Sequence, residues 1–312
     1  MRIGLIDVDS HRYPNLVLMK LSAWHKKQGD HVEWYQPMFS GHMDIVYMSK
    51  VFSFSPDYEY CVDAEKIVRG GTGYAISLVD GKEVYNKDID IKLPDEIEHI
   101  YPDYSIYPEI IDTAFGFLSR GCPRGCNFCH VAKKEGQCAY KVADLKEFWK
   151  GQKKIELLDP NILACPDWRD LLQQLIESKA QVNFNQGLDI RMMTIEKAQM
   201  LSKIKMQTIH FAWDRYEDKD MILPKFEEFK KYSKICSHNL YVYVLCGDVE
   251  RKIRDEDLER IYWLRDHGYA PYVMLYDKEN LPQKHELKRL QRWVNNRYVF
   301  WKVKTFEEYR ER

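Results

Sequence analysis

Nowhere in the 312 residues is there an uninterrupted apolar stretch of about 18, the length a membrane-spanning helix needs. The first segment, MRIGLIDVD, meets an acidic residue by position 7, so neither secretion nor membrane insertion is expected, and the chain reads as cytoplasmic. Charge of one sign is also missing: 47 Lys and Arg stand against 48 Asp and Glu, a net −1. Such a balance gives no global field for nucleic acid or an anionic membrane, and leaves only local patches to attract either. The eight cysteines, at 61, 122, 126, 129, 138, 165, 236 and 246, lack the even pairing of a disulfide framework, which fits a reducing compartment. Those at 61, 138, 165, 236 and 246 are scattered singly, and most are expected to be small buried hydrophobes.

Apolar residues make up 45% of the chain, ample for a core, and the length suits one large or two medium domains. The remaining three cysteines are clustered. Residues 120–136 read RGCPRGCNFCHVAKKEG, with Cys122, Cys126 and Cys129 in the order C-x3-C-x2-C and Phe128 just before the third. Four-iron clusters normally take four cysteines and structural zinc takes four protein ligands, so a trio leaves one metal position for something else.

The number of intervening residues and the aromatic resemble the signature of the radical S-adenosylmethionine (radical SAM) superfamily. That resemblance implies that Cys122, Cys126 and Cys129 hold three irons of a [4Fe–4S] cluster, that SAM chelates the fourth iron, and that Phe128 lies beside the SAM adenine. It also implies reductive cleavage of SAM to methionine and a 5′-deoxyadenosyl radical, which abstracts hydrogen from a substrate or leads to its methylation. The electron would come from a small donor protein of the flavodoxin or ferredoxin type. The competing reading is a zinc-stabilised nucleic-acid-binding module with His130 as fourth ligand; adjacent residues in a turn seldom both reach one metal, and no second C-x2-C pair completes a zinc ribbon.

The chain before the cysteines reads as strand, loop and amphipathic helix closing at Gly29, followed by strands near His31–Tyr35, Ile45–Met48 and Lys66–Val68. Alternating elements of this kind suggest a smaller, doubly wound, Rossmann-like α/β domain over residues 1–105. In order and position it resembles the cobalamin-binding-type domain that precedes the barrel in one branch of the superfamily. The pattern D-x-H-x-x-G of that domain meets Asp9, Ser10 and His11 here, making His11 the candidate cobalt ligand, but Pro14 stands where glycine is expected. Proline removes both the backbone freedom and the N–H that let the chain approach a cofactor. Residues 69–73, RGGTG, offer a permissive loop for a ligand or simply a tight strand-to-helix turn. The acidic, Tyr- and Pro-rich stretch that follows reads as a segment crossing between domains.

Over residues 106–312 six strand-like runs alternate with helical ones, the first leading into the cysteines. This series resembles the partial (β/α)6, TIM-like barrel of radical SAM enzymes, whose sites gather at the C-terminal strand ends. Asp159, Asn161, Asn185, Gln186, Asp189, Arg191, Asp214, Asp248 and Asp277 recur at those ends, and about half are expected to be turn formers or caps. The resemblance implies that Asp159 and Asn161 contact the SAM amino group and that Gln186 and Arg191 reach its ribose and carboxylate, a guanidinium being suited to pairing with a carboxylate. Downstream, residues 284–295 read as a basic helix and 297–304 (RYVFWKVK) as a last strand. Their interleaved basic and aromatic residues suit either RNA contacts or a barrel-closing helix with solvated charges. No residue discriminates a nucleotide or RNA substrate from a peptide or a small molecule.

Overall fold

The apolar run at the start forms β1 (Arg2–Asp7), and Asn15 caps α1 (Leu16–Lys27), its side-chain oxygen accepting from the Leu18 N–H. Then come β2 (His31–Trp34), β3 (Met43–Ser49) and β4 (Ala64–Gly70), which make a parallel sheet in the order β2-β1-β3-β4. The computed structural model describes residues 1–10, 13–79, 82–126, 129–247, 251–276 and 278–310. The chain divides into a first compact unit, Met1–Cys138 with Val142–Glu156, and a second, Ala139–Lys141 with Leu157–Arg312.

Both faces of the first unit's sheet are apolar, as parallel strands require. Ile3 and Leu5 pack with Leu18 and Leu21 of α1, whereas Ile6, Val46 and Met48 on the other face meet Tyr35, Tyr58 and Val62 from loops. The strand order is that of a doubly wound domain, but the second face differs from that expectation. The β2–β3 and β3–β4 connections carry no α-helix, and Pro37 and Pro56 interrupt both. After β4 come α2 (Thr72–Ala75), a hairpin of β5 (Ile76–Val79) and β6 (Lys82–Tyr85) that alternation in the sequence did not disclose, and α3 (Asp95–Glu98). The stretch read as a domain crossing is packed into this unit. Ile97, Tyr104 and Tyr107 are buried, and the Tyr107 hydroxyl donates to Asp7 Oδ2 at 2.6 Å while accepting from the Asn15 N–H. Aromatic rings with a polar tip make such a segment sticky rather than linker-like. The strands β7 (Thr113–Gly116) and β8 (Ser119–Arg120) and the short α4 (Val131–Glu135) frame the cysteines.

After β9 (Tyr140–Lys141), β10 (Lys154–Leu157) pairs with β7. The second unit then alternates α5 (Trp168–Ser178), β11 (Gln181–Phe184), α6 (Ile195–Leu201), β12 (Ile209–Ala212), α7 (Lys219–Ser233), β13 (Leu240–Cys246), α8 (Asp255–Asp266) and β14 (Ala270–Leu275). β12, β13 and β14 are parallel, and β11 joins β12 through the parallel bridges Val182–Met206 and Leu188–Phe211. Pro224 lies inside α7, and the carbonyl it leaves without a helical partner belongs to exposed Asp220, where water can serve.

Helix α9 (Glu286–Asn295) buries Leu287, Leu290, Trp293 and Val294, as its periodicity indicates. The following segment corrects the sequence reading: residues 297–302 are helix α10 (Arg297–Lys302), not a strand. β-branched and aromatic residues favour strands, but Asn296 caps the Val299 N–H and a single residue, Phe300, turns inward onto Trp293. The scattered cysteines also divide differently from the expectation. Cys165 and Cys246 are buried, and burial pushes the Cys246 thiol up to about 12, but Cys61, Cys138 and Cys236 are exposed.

Candidate functional site

The cysteine loop is closed at its base. Arg120 Nη1 donates to Glu135 Oε1 at 2.8 Å, the Gly121 N–H donates to Glu135 Oε2 at 3.1 Å, and the Cys122 N–H donates to the Gly136 carbonyl at 3.2 Å. Gly121 sits at φ +79°, and a Cβ there would lie 2.1 Å from the Cys138 carbonyl oxygen, so only glycine lets the two ends approach. Arg120 also lies over the Phe117 ring, 3.9 Å from its centroid. Within the loop the Cys129 N–H donates to the Cys126 carbonyl at 3.0 Å. All three cysteines are half-buried. Phe128 lies outside the described residues.

As a donor set, three thiols on one loop with a clasped base fit a four-iron cluster that takes its remaining ligand from elsewhere. Among the described residues no three His, Cys, Asp or Glu side chains converge as metal ligands do, these cysteines included. His130, the fourth ligand of the zinc reading, is instead directed at Glu83, its Nε2 2.9 Å from Oε2.

At the C-terminal edge of the first sheet, β1 and β3 mark the place where strand order reverses, the usual ligand crevice of such sheets. Here the polar groups satisfy one another. Asp9 is buried, and its two oxygens accept from the Val51 and Phe52 N–H groups at 2.7 and 2.8 Å. Asn15 Nδ2 donates to Ser49 Oγ, and Ser10 Oγ donates to Asp7. Gly71, at φ +100°, is held against the chain's own backbone, with a Cβ position only 2.3 Å from the Lys50 carbonyl oxygen, so the tight strand-to-helix turn is what the structure contains. His11 lies outside the described residues.

In the second unit Asp159 and Asn161 are buried, and Asn161 Nδ2 donates to Asp189 Oδ2 at 3.3 Å. Asp189 also accepts from the Arg191 N–H and Nε, and Arg191 Nη1 donates to Asp218 at 3.0 Å, so that guanidinium is already braced by two carboxylates. Gln186 is exposed in the turn after β11. Asp248 and Asp277 lie outside the described residues. Burial raises the Asp214 carboxyl above the ordinary range, and the Arg260 and Arg191 guanidinia oppose that rise.

Two features of this unit escaped the sequence. Arg260 of α8 is fully buried and donates to the carbonyls of Trp213, Asp214 and Leu245 at 2.7–2.9 Å and to Asp257 Oδ1 at 2.6 Å, tying the ends of β12 and β13 together. The other is a sheet face. Phe211 turns to Phe226 and Phe229 of α7, and Val242, Val244 and Val273 are buried with it. Their strand neighbours His210, Tyr241, Tyr243 and Tyr272 point to the opposite face. His210 and Tyr243 stack at 5.3 Å and 9°, His210 and Tyr241 are 5.3 Å apart, and Tyr243 meets Tyr272 edge-on at 5.8 Å. Burial holds His210 below the usual imidazole range. The strict alternation in LYVYVLC was the available signal, since it puts two tyrosines on one side of β13.

The fold and these sites define a mixed α/β protein with parallel sheets. No protein-family model matches the chain, and no curated protein matches its sequence. Among solved structures it is similar to a radical S-adenosylmethionine methyltransferase, TsrM, from Kitasatospora setae, solved with cobalamin and a [4Fe–4S] cluster bound. The TM-score is 0.57 at 10% identity, over 88% of this chain and 74% of that chain. At that identity the likeness is one of fold. Among the described residues no helix is long and apolar enough to cross a membrane.

Proposed function

We propose that the protein is a radical SAM enzyme. Cys122, Cys126 and Cys129 hold a [4Fe–4S] cluster, and residues 106–312 form the partial (β/α)6 barrel around its substrate, after a smaller domain over 1–105. The observation that carries the reading is a C-x3-C-x2-C loop clasped at its base by Glu135, in a chain whose fold resembles that of a radical SAM methyltransferase. Bound there, the cluster supplies the electron that cleaves SAM reductively. The chain's own share is positioning: Glu135 holds the loop, Asp159, Asn161, Gln186 and Arg191 are assigned to SAM, and the barrel excludes water from the reacting centre. A flavodoxin- or ferredoxin-type donor in a reducing cytoplasm suits thiols that must stay reduced to ligate.

No step of this reading uses cobalamin. The glycine at the sheet edge and both oxygens of Asp9 are engaged with the chain's own backbone. The reaction assigned is hydrogen abstraction from the substrate. Anaerobic reconstitution with iron and sulfide, then dithionite and SAM, tests the proposal. Brown protein with about four irons per chain and formation of 5′-deoxyadenosine are expected, with none formed by Cys126→Ala. Colourless protein carrying one zinc would sink it.

A further inference from the structure

We propose that the second unit binds single-stranded RNA along an aromatic track that starts on α10 and continues over the face of the β12–β14 sheet turned away from α7. Residues 284–304 contain seven Lys and Arg and one Glu, a local net of +6 in a chain whose total is −1. The structure sorts the aromatics of this segment into two sets. Trp293, Phe300 and Phe306 pack against one another inside, while Tyr298 is 91% and Trp301 38% exposed. With Arg297 and Lys302 these two line an open hollow of about 520 Å³. A barrel-closing helix has no need of aromatics on its wet side, and exposed rings set among cations are what a base and its phosphate require together.

Arg297 links α10 to the rings of the sheet. Arg297 Nη1 donates to the Tyr241 hydroxyl at 3.0 Å, Tyr241 lies beside His210, His210 stacks on Tyr243, and Tyr243 meets Tyr272, which is 40% exposed. Among the described residues of β11–β14 this face carries no carboxylate and no ammonium, and burial lowers its one histidine, His210, below the usual imidazole range. Asn183 on β11 and Asn185 just after it add a carboxamide pair, Nδ2 to Oδ1 at 2.6 Å, of the kind that reads base edges. Cations at the entrance and neutral rings and amides further in match a chain with charge on its backbone and flat, uncharged bases. They do not match an acidic peptide, whose charges are on its side chains. Single strands with splayed bases are the usual state of RNA loops and ends, whereas cellular DNA is mostly paired.

No cysteine belongs to this surface, so its test is independent of the cluster. Anisotropy of a fluorescent RNA of about 12 nucleotides would be followed with the full-length chain as purified, without added SAM, between about 50 and 200 mM salt. The expected result is salt-dependent binding that weakens about tenfold or more in Tyr298→Ala/Trp301→Ala. In Arg297→Gln/Lys302→Gln the slope of log affinity on log salt should fall by about 0.7 for each phosphate that is no longer neutralised. These side chains are on the exposed surface, and Trp293 and Phe300 beneath them stay in place, so the fold is retained. No binding at the lowest salt, unchanged binding by the aromatic double variant, equal binding of an RNA duplex, or displacement by poly-glutamate at equal charge would each overturn the proposal. Failure of the iron assay would leave it standing.

Discussion

Replacing Glu135 with alanine removes the clasp at the base of the cysteine loop while leaving every cysteine in place. The Glu135 side chain is 12% exposed and its two oxygens serve two partners, Arg120 and the Gly121 N–H. A hydrogen bond to a charged acceptor contributes about 1.5–3 kcal/mol, and a partly exposed ion pair up to about 1 kcal/mol. Together they hold the loop closed by about 2–4 kcal/mol. If the closed loop is the form that takes up iron, Glu135→Ala should weaken cluster binding by about thirty- to several-hundredfold. The readouts are iron per chain after reconstitution and desalting, and the rate at which a chelator strips it, with far-ultraviolet circular dichroism as the check on folding. Glu135→Gln keeps an acceptor for the Gly121 N–H and loses only the charge opposite Arg120, so its loss should be about fivefold. A folded Glu135→Ala chain that holds its iron as long as the wild type would refute the reasoning.

Arg260→Leu leaves three carbonyls and the buried Asp257 without their shared donor, and should cost about 4 kcal/mol, or about 8–16 °C in Tm for a unit of this size; a shift within about 2 °C would contradict the clamp. Asp214 has a carboxyl raised by burial above its unfolded value of 3.8, so wild-type stability should rise as pH falls from the raised value toward 3.8. Asp214→Asn should therefore be more stable than wild type at neutral pH and lose that advantage in acid, as thermal melts across pH would record. His210, lowered from 6.5 by burial, lets the unfolded chain take up a proton first, so its contribution to stability is lost as pH falls through and below 6.5. An imidazole titration followed by nuclear magnetic resonance should show a midpoint under 6.5, and one above it would be inconsistent with the buried stack.

Helix α1 and the parallel strands β1, β3 and β13 were legible because each carries its own signal: an apolar stripe at helical spacing ending at Gly29, or short runs rich in Val, Ile and Tyr. Residues 297–302 misled because ring-bearing and branched side chains speak for a strand, and the deciding facts, the Asn296 cap and the place of Phe300 against Trp293, are local geometry and packing. The stretch from Asp80 to Glu109 misled for a related reason. Its Pro and acidic content described a linker, yet three of its apolar and aromatic side chains are buried, and composition does not say which surface a Tyr will cover. Arg191 was legible as a strand-end cation, but nothing along the chain signalled that Asp189 and Asp218 would share it.

The sequence alone determined the order of the three cysteines, because ligand spacing on one loop is a property of the backbone and needs nothing from the rest of the chain. It also determined the parallel α/β character, which follows from runs of apolar residues read one element at a time. Only the tertiary structure decided that Glu135 closes the cysteine loop, that Arg260 ties β12 to β13, and that His210, Tyr241, Tyr243 and Tyr272 share one face. Each of these depends on residues distant along the chain meeting in space, and which charges and rings meet is settled by how the strands register and how the helices pack against them.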